Sequence, residues 1–221
     1  MGLLDTLLGR TKPVRPNLDA LFSLPSAAVT LQAASGLACT GKAGVCFKPP
    51  AGADFAALQH DIEQLLATAD QTLSSAGTGP AAGVGDDGSG TAAGAATAVH
   101  HVADSYGYRW LVFDGGAIDD LVTRVHLVHS SLEDSGWGPQ LLCSVFAFAP
   151  IGAAAEAGDT ISSPIFLVYL AKRGTFYPFA PTGRERRDSE LELRVRSIVG
   201  SDLPFESDLS RWFPLWDLPV R

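Results

Sequence analysis

The stretch PIFLVYLAKRGTFYPFAP, Pro164 to Pro181, decides how this chain is organised. Its first half is a nearly unbroken apolar run of strand length, the pattern of a strand at the centre of a sheet. Read as one element, it carries the backbone from that buried run to a polar end at Lys172 and Arg173. Gly174 allows a bulge or a close backbone approach. Pro178 and Pro181 stiffen the exit.

The neighbouring segments supply the rest of a sheet. PQLLCSVFAFAP reads as a strong strand, and GAAAEAGDTISS as the loop that joins it to the central one. AVHHVADS and YGYRWLVFDG read as two strands around a turn. VTLQAA, residues 29 to 34, and GVCFKP, residues 44 to 49, read as a further strand pair, with the Gly-rich GLACTGKAG as the loop between them. Three helices alternate with these strands. Asp54 opens the first, with Phe55, Leu58, Ile62, Leu65 and Leu66 at helical spacing. IDDLVTRVHLVHSSLEDSG is the clearest, and Gly136 suits its C-terminus. SELELRVRSIVGS turns Leu191, Val195, Ile198 and Val199 inward.

The order ββα, insertion, ββα, ββα predicts an α+β two-layer sandwich of a largely antiparallel sheet with helices packed on it. We expect a single domain over residues 1–221. Residues 1–16 would form a short helix and the proline-broken connector TKPVRPN, and Asn17 would cap the turn LDALFSL. Residues 70–96, rich in Gly and Ala and almost without large side chains, read as a flexible insertion. The tail, residues 201–221, holds two tryptophans and three prolines in DLPFESDLSRWFPLWDLPVR and should dock onto the domain through its aromatics.

Composition excludes several function classes. A net charge of −8 and a sequence pI near 5.0 argue against nucleic-acid binding, which needs a basic face. No apolar run is long enough to span a membrane, and MGLLDTLLGR lacks the layout of a signal peptide. A cytoplasmic setting follows. MGLLDT also fits a myristoylation pattern. Leu3, Leu4, Leu7 and Leu8 with Arg10, Lys12 and Arg15 would suit packing on the protein's own core, with peripheral membrane contact through residues 1–15 as the alternative. Cys39, Cys46 and Cys143 read as reduced thiols. The GxGxxG match at Gly83–Gly88 follows no strand and opens no helix, so it indicates no dinucleotide site.

Searches for chemistry return little. There is no metal-binding motif, nucleophile elbow or P-loop, and no cofactor is expected. His126 and His129 lie three apart and share a helix face, which Asp104 and His100 or His101 would have to join to hold a metal. We read His126 as the apolar neighbour and His129 as the solvated one. Cys143 lies within an apolar strand, where a thiol is structural rather than catalytic.

KRGTFYPFAPTGRERRD, Lys172 to Asp188, is the one concentration of positive charge in an acidic chain. Phe176, Tyr177 and Phe179 would make a rigid wall, with Lys172, Arg173, Arg184, Arg186 and Arg187 around it. Arginine beside aromatic rings suits an anionic or aromatic partner. Equally, Glu185, Asp188, Glu190 and Glu192 lie near enough to neutralise those arginines.

The blocks NLDALFSLPSAAVTLQ, SYGYRWLV, GWGPQLLCSVFAF, LVYLAKRGTFYPFAPTGRERRDSELELRVR and LPFESDLSRWFP together resemble the PspAB family of bacterial PspA-associated proteins. The resemblance covers most of the chain outside residues 70–96. It implies association with PspA, the coiled-coil protein of the phage-shock response to membrane damage, and a setting near the membrane protease HtpX. It implies no catalytic residue. Two readings stand at this level. One is a non-enzymatic interaction protein of envelope stress, recruited to the inner face of the membrane in its fullest form. The other is a small-ligand-binding or hydrolytic enzyme built on His126, His129 and the Arg184–Arg187 loop.

Overall fold

The computed structural model describes residues 18–49, 54–76, 98–151 and 164–220. A 3-10 turn, Leu18–Ser23, leads into helix α1, Leu24–Ser35. Strand β1 is Leu37–Phe47 and helix α2 is Asp54–Ala76. Strands β2, Ala98–Ala103, and β3, Arg109–Asp114, form a hairpin before helix α3, Ile118–Asp134. Strands β4, Leu141–Pro150, β5, Ile165–Leu170, and β6, Thr175–Phe179, follow. A small ladder, β7 at Pro181–Gly183 and β8 at Arg186–Arg187, precedes helix α4, Ser189–Val199.

The six main strands form one sheet in the order β2-β3-β1-β4-β5-β6, every pairing antiparallel. Strand alternation sends Phe146, Phe148, Leu167 and Tyr169 to the helices, and Val145, Ala147, Phe166 and Val168 to the other face. Helices α1 and α3 cross β1, α2 packs on α3, and α4 packs on β6. The opposite face is capped by Trp212, Leu218 and Val220 of the tail. The fold is the α+β sandwich with an open antiparallel sheet, and both faces of the central strands are buried.

Three local readings of the sequence are corrected. VTLQAA is the second half of helix α1, not a strand. Its four-residue alternation sits inside a longer helical repeat, Leu24, Ala27, Ala28 and Leu31, all buried. Pro25 lies in the first turn, and Gly36 ends the helix at φ 69° with its N–H donated to the Gln32 carbonyl at 3.0 Å. GLACTGKAG is not a loop but most of β1. Gly41, at φ 78°, sits in the bulge between Cys39 and Ala43. At Gly44 a Cβ would meet Val220 Cγ2 at 2.6 Å, so the tail rests where the sheet has no side chain.

The third correction concerns the decisive stretch itself. It is a hairpin rather than one strand, so the sheet gains an edge. The Arg173 and Gly174 N–H groups donate to the Leu170 carbonyl at 3.0 and 2.9 Å, and Gly174 takes φ 67°. β6 tolerates Pro178 because it is the edge strand. That edge is partly covered by the tail: the Phe176 N–H donates to the Pro204 carbonyl and the Glu206 N–H to the Phe176 carbonyl, both at 2.8 Å.

The first expected ββα unit is therefore αβα, which removes any repeat of the following hairpin-and-helix unit. Helix α2 continues to Ala76, so residues 70–76 belong to it and not to an insertion. The expected N-terminal helix, the Asn17 cap, the insertion beyond Ala76 and the loop from 152 to 163 fall outside the described residues.

The remaining elements have clear local causes. Helix α4 begins where the Asp188 carboxylate accepts the Leu191 N–H at 2.9 Å, and Glu190 and Glu192 favour its N-terminal dipole. At the start of α3 the Asp120 carboxylate accepts the Ala117 N–H at 3.4 Å, one half of a capping box. Leu121, Val122, Val125, Val128 and Leu132 face the sheet.

Candidate functional site

The β6–α4 region brings the basic residues together only in part. Phe176, Tyr177 and Phe179 do not form a surface wall. Strand alternation sends Phe176 into the helix-side core and Tyr177 and Phe179 under the tail, all buried. The Tyr177 hydroxyl donates to the Phe213 carbonyl at 2.9 Å, and its ring stacks on Trp212 at 6.1 Å. Tyr177 and Phe179 pack against the tail, and none of the three rings is exposed at the surface.

Two of the five basic side chains also serve the interior. Arg187 donates through Nε to both Glu192 carboxylate oxygens at 2.9 Å, and its Nη2 lies 2.7 Å from Oε2. Its Nη1 donates to the Trp212 carbonyl at 2.6 Å, and its guanidinium sits 5.4 Å from the Phe179 ring centre. Glu192 is buried and also accepts the Ala180 N–H at 2.9 Å. Arg187 is thus a staple joining α4, β6 and the tail.

Arg173 plays a similar part at the other end of β6, donating to Glu206, which is 1% exposed. Glu206 accepts the Thr175 hydroxyl at 3.3 Å and the Asp208 N–H at 3.1 Å as well. Burial alone would raise the Glu206 pKa. The Asp208 N–H, Arg173 and Thr175 outweigh it and hold the carboxyl below its ordinary value.

Arg173 is nonetheless 44% exposed at its side chain, and the other three basic groups face solvent as well. Lys172 projects from the β5–β6 turn, Arg184 from the β7–β8 loop and Arg186 from the start of β8. That loop is tight: Glu185 takes φ 47°, a left-handed conformation that costs a residue other than glycine about 1 kcal/mol. Beside it lies an open groove of about 1130 Å³ on the tail side of the sheet. Ala147, Ala149 and Phe166 line it with Arg184 and Trp216. Lys42, paired with Asp114 at 3.6 Å, lies at the same groove. The result is a mixed lining, apolar at Ala147, Ala149 and Phe166 and polar at Thr40, Arg184, Glu185 and Asp217.

The histidine face of α3 is different from its sequence reading. His129 is the fully buried member, and His126 is only partly covered. The His129 Nε2 lies 2.7 Å from the Ser144 hydroxyl, and its ring stacks 5.9 Å from Tyr169. Burial, reinforced by His126, pushes its pKa down to about 3. His126 instead packs its ring 4.9 Å from that of Phe22.

Asp104 does not join these histidines. It closes the β2–β3 turn, accepting the N–H groups of Tyr106 and Tyr108 and the indole N–H of Trp110. His101 pairs with Glu63 on α2 at 2.8 Å. Among the described residues no three His, Cys, Asp or Glu side chains form a metal cluster. No described helix is long and apolar enough to cross a membrane. Cys46 and Cys143, both free thiols, face each other in register across β1 and β4, and Cys39 is free on β1.

Comparison with curated proteins gives no match, and no solved structure matches the chain. A family model does match, over residues 1–220, that of PspA associated protein B. The chain belongs to the PspAB family, whose name ties it to PspA and to the phage-shock response.

Proposed function

We propose that this protein is a non-enzymatic adaptor that captures PspA through the β7–β8 loop and the groove beside it. The observation behind this reading is the division of the basic cluster. Arg173, itself partly exposed, and Arg187 are tied to the buried Glu206 and Glu192, whereas Arg184, on the tight loop at the groove, and Arg186, at the start of β8, stand exposed without such a buried partner. The partner surface is a helix of a coiled coil presenting carboxylates to Arg184 and Arg186, with Lys172 a more distant contributor. An apolar ridge of that helix enters the groove over Ala147, Ala149 and Phe166. Exposed arginines mainly steer such an encounter, and the apolar contact sets its lifetime.

The setting proposed is cytoplasmic, at the inner face of the membrane where PspA acts, with an HtpX-type protease as a further partner in the same system. The enzyme alternative has no geometric support: His129 is sealed in the core against Ser144, and the Arg184–Arg187 loop stands on the opposite side of the sheet. Biolayer interferometry against purified PspA tests the reading. The expected result is saturable binding whose association rate falls with added salt, because steering charges are screened beyond about 10 Å at 0.1 M ionic strength. Absence of binding at low salt, or association insensitive to salt, would refute it.

A further inference from the structure

A second cavity, of about 420 Å³, lies under the tail and shares Tyr106, Trp216 and Asp217 with the groove. Its base is formed by Cys46, Cys143, Trp110 and Tyr177, all buried. One wall is the β2–β3 turn with Asp104, Tyr106 and Tyr108. The other is the tail from Phe213 to Leu218. The Ser105 hydroxyl donates to Asp217 Oδ2 at 2.7 Å and ties the two walls together. Such a volume, mostly apolar with a few polar groups, is of small-ligand size.

The charge on this cavity is one-sided. Asp104 and Asp217 line it, and no Lys, Arg or His among the described residues does. Hydrogen bonds to Asp104 come from neutral donors, two backbone N–H groups of its turn and the indole of Trp110 on β3, so no cation opposes its charge. Its field reaches the base: the Cys46 thiol is held well above its ordinary range, first by contact with Cys143, then by burial, and also by the Asp104 charge. Tyr106, at 65% exposed, and Phe213, at 58%, leave large ring faces in solvent beside the opening. Asp104, half-buried with neutral donors, and Asp217, exposed with the Ser105 hydroxyl, put negative charge at the mouth that a neutral ligand would not use. Aromatic faces and carboxylates together favour a weakly hydrated cation.

We propose that the cavity under the tail binds an organic ammonium ion carrying an apolar group. The apolar group enters over Trp110 and Tyr177, and the ammonium stays near the mouth between Asp104 and Asp217. The cavity adjoins the groove assigned to PspA through Tyr106, Trp216 and Asp217, but the cation is measured with the protein alone, so its binding is read independently of PspA.

The test uses the full chain and two probes of equal shape, benzyltrimethylammonium and its neutral isostere neopentylbenzene. Binding is read by tryptophan fluorescence, since Trp110 and Trp216 line the cavity. The cation should bind saturably and about tenfold more tightly than the isostere. Asp217→Asn keeps an acceptor for Ser105 and should weaken the cation at least threefold, with an unchanged melting temperature. Leu142→Trp, which fills the cavity, should abolish the response while the circular dichroism spectrum stays native. Equal affinity for the two probes would overturn the proposal. So would the absence of a saturable response to millimolar cation in a folded protein, or full binding by Asp217→Asn.

Discussion

Replacing Glu192 by Ala asks whether Arg187 is a staple or a free contact. The Glu192 carboxylate is 2% exposed, accepts the Ala180 N–H at 2.9 Å and Arg187 Nε at 2.9 Å from each oxygen, and lies 2.7 Å from Arg187 Nη2 as an ion pair. Removing it strands a guanidinium whose side chain is only 22% exposed and leaves the buried Ala180 N–H without its acceptor. Breaking a buried ion pair costs about 3–5 kcal/mol. Arg187 keeps the Trp212 carbonyl and its packing on Phe179, which places the expected loss near the lower end, about 3 kcal/mol. Urea unfolding should show this as a lower midpoint at constant slope. A double-mutant cycle with Arg187→Ala should return a coupling of at least 1 kcal/mol, as expected for groups in one network. A loss below about 1 kcal/mol, the value of an exposed pair, would mean that Arg187 is solvated and available to partners, and the division of the basic cluster would fail.

Gly44→Ala should lower stability by about 1–3 kcal/mol, because the added methyl drives against Val220 under the tail. Adding Val220→Ala should make the double variant more stable than the sum of the single losses, and strict additivity would show that the tail does not rest there. His129 gives a pH signature. Its folded pKa of about 3 lies below the unfolded value of 6.5, so between these values the unfolded chain takes up a proton that the native one refuses. Stability should fall as pH drops through that window, by up to about 1.4 kcal/mol per pH unit, and His129→Gln should flatten the fall. Identical slopes for the two proteins would contradict the buried, neutral imidazole.

Much of the fold was legible because its longest elements carry long patterns. IDDLVTRVHLVHSSLED repeats its apolar face over four turns, and PQLLCSVFAFAP has strand length with β-rich composition. Short segments failed for physical reasons. VTLQ alternates like a strand over too few residues, and the decisive signals, Pro25 and Gly36, lie outside it. The glycines of LACTGKAGVCF looked like loop chemistry, yet Gly41 makes a bulge and Gly44 a seat for Val220, roles set by strands far away in sequence. In AKRG the turn signal is Gly174, whose φ of 67° closes the hairpin, but a glycine within an apolar strand suits a bulge equally well.

The candidate site was legible as a concentration of charge but not as its division. Glu206 lies 33 residues from Arg173, and no local pattern reveals such a pairing. Glu192 was counted among the neutralising acids, but its burial was not foreseeable, because the helix exposes Leu193 at 48% and buries the glutamate beside it. His129 and Ser144 belong to α3 and β4, and only tertiary packing makes one seal the other.

The central claim is that the basic stretch is partitioned, with Arg173 and Arg187 tied to buried glutamates that hold the tail and with Arg184 and Arg186 capturing PspA. The most direct measurement is PspA capture by the double charge reversal Arg184→Glu/Arg186→Glu, with its melting temperature recorded alongside. Both side chains are exposed, so folding should be unaffected. Capture at low ionic strength should weaken at least tenfold, and the difference should shrink as salt is added. A folded double variant that captures PspA as well as the wild type does, at low salt, would contradict the account.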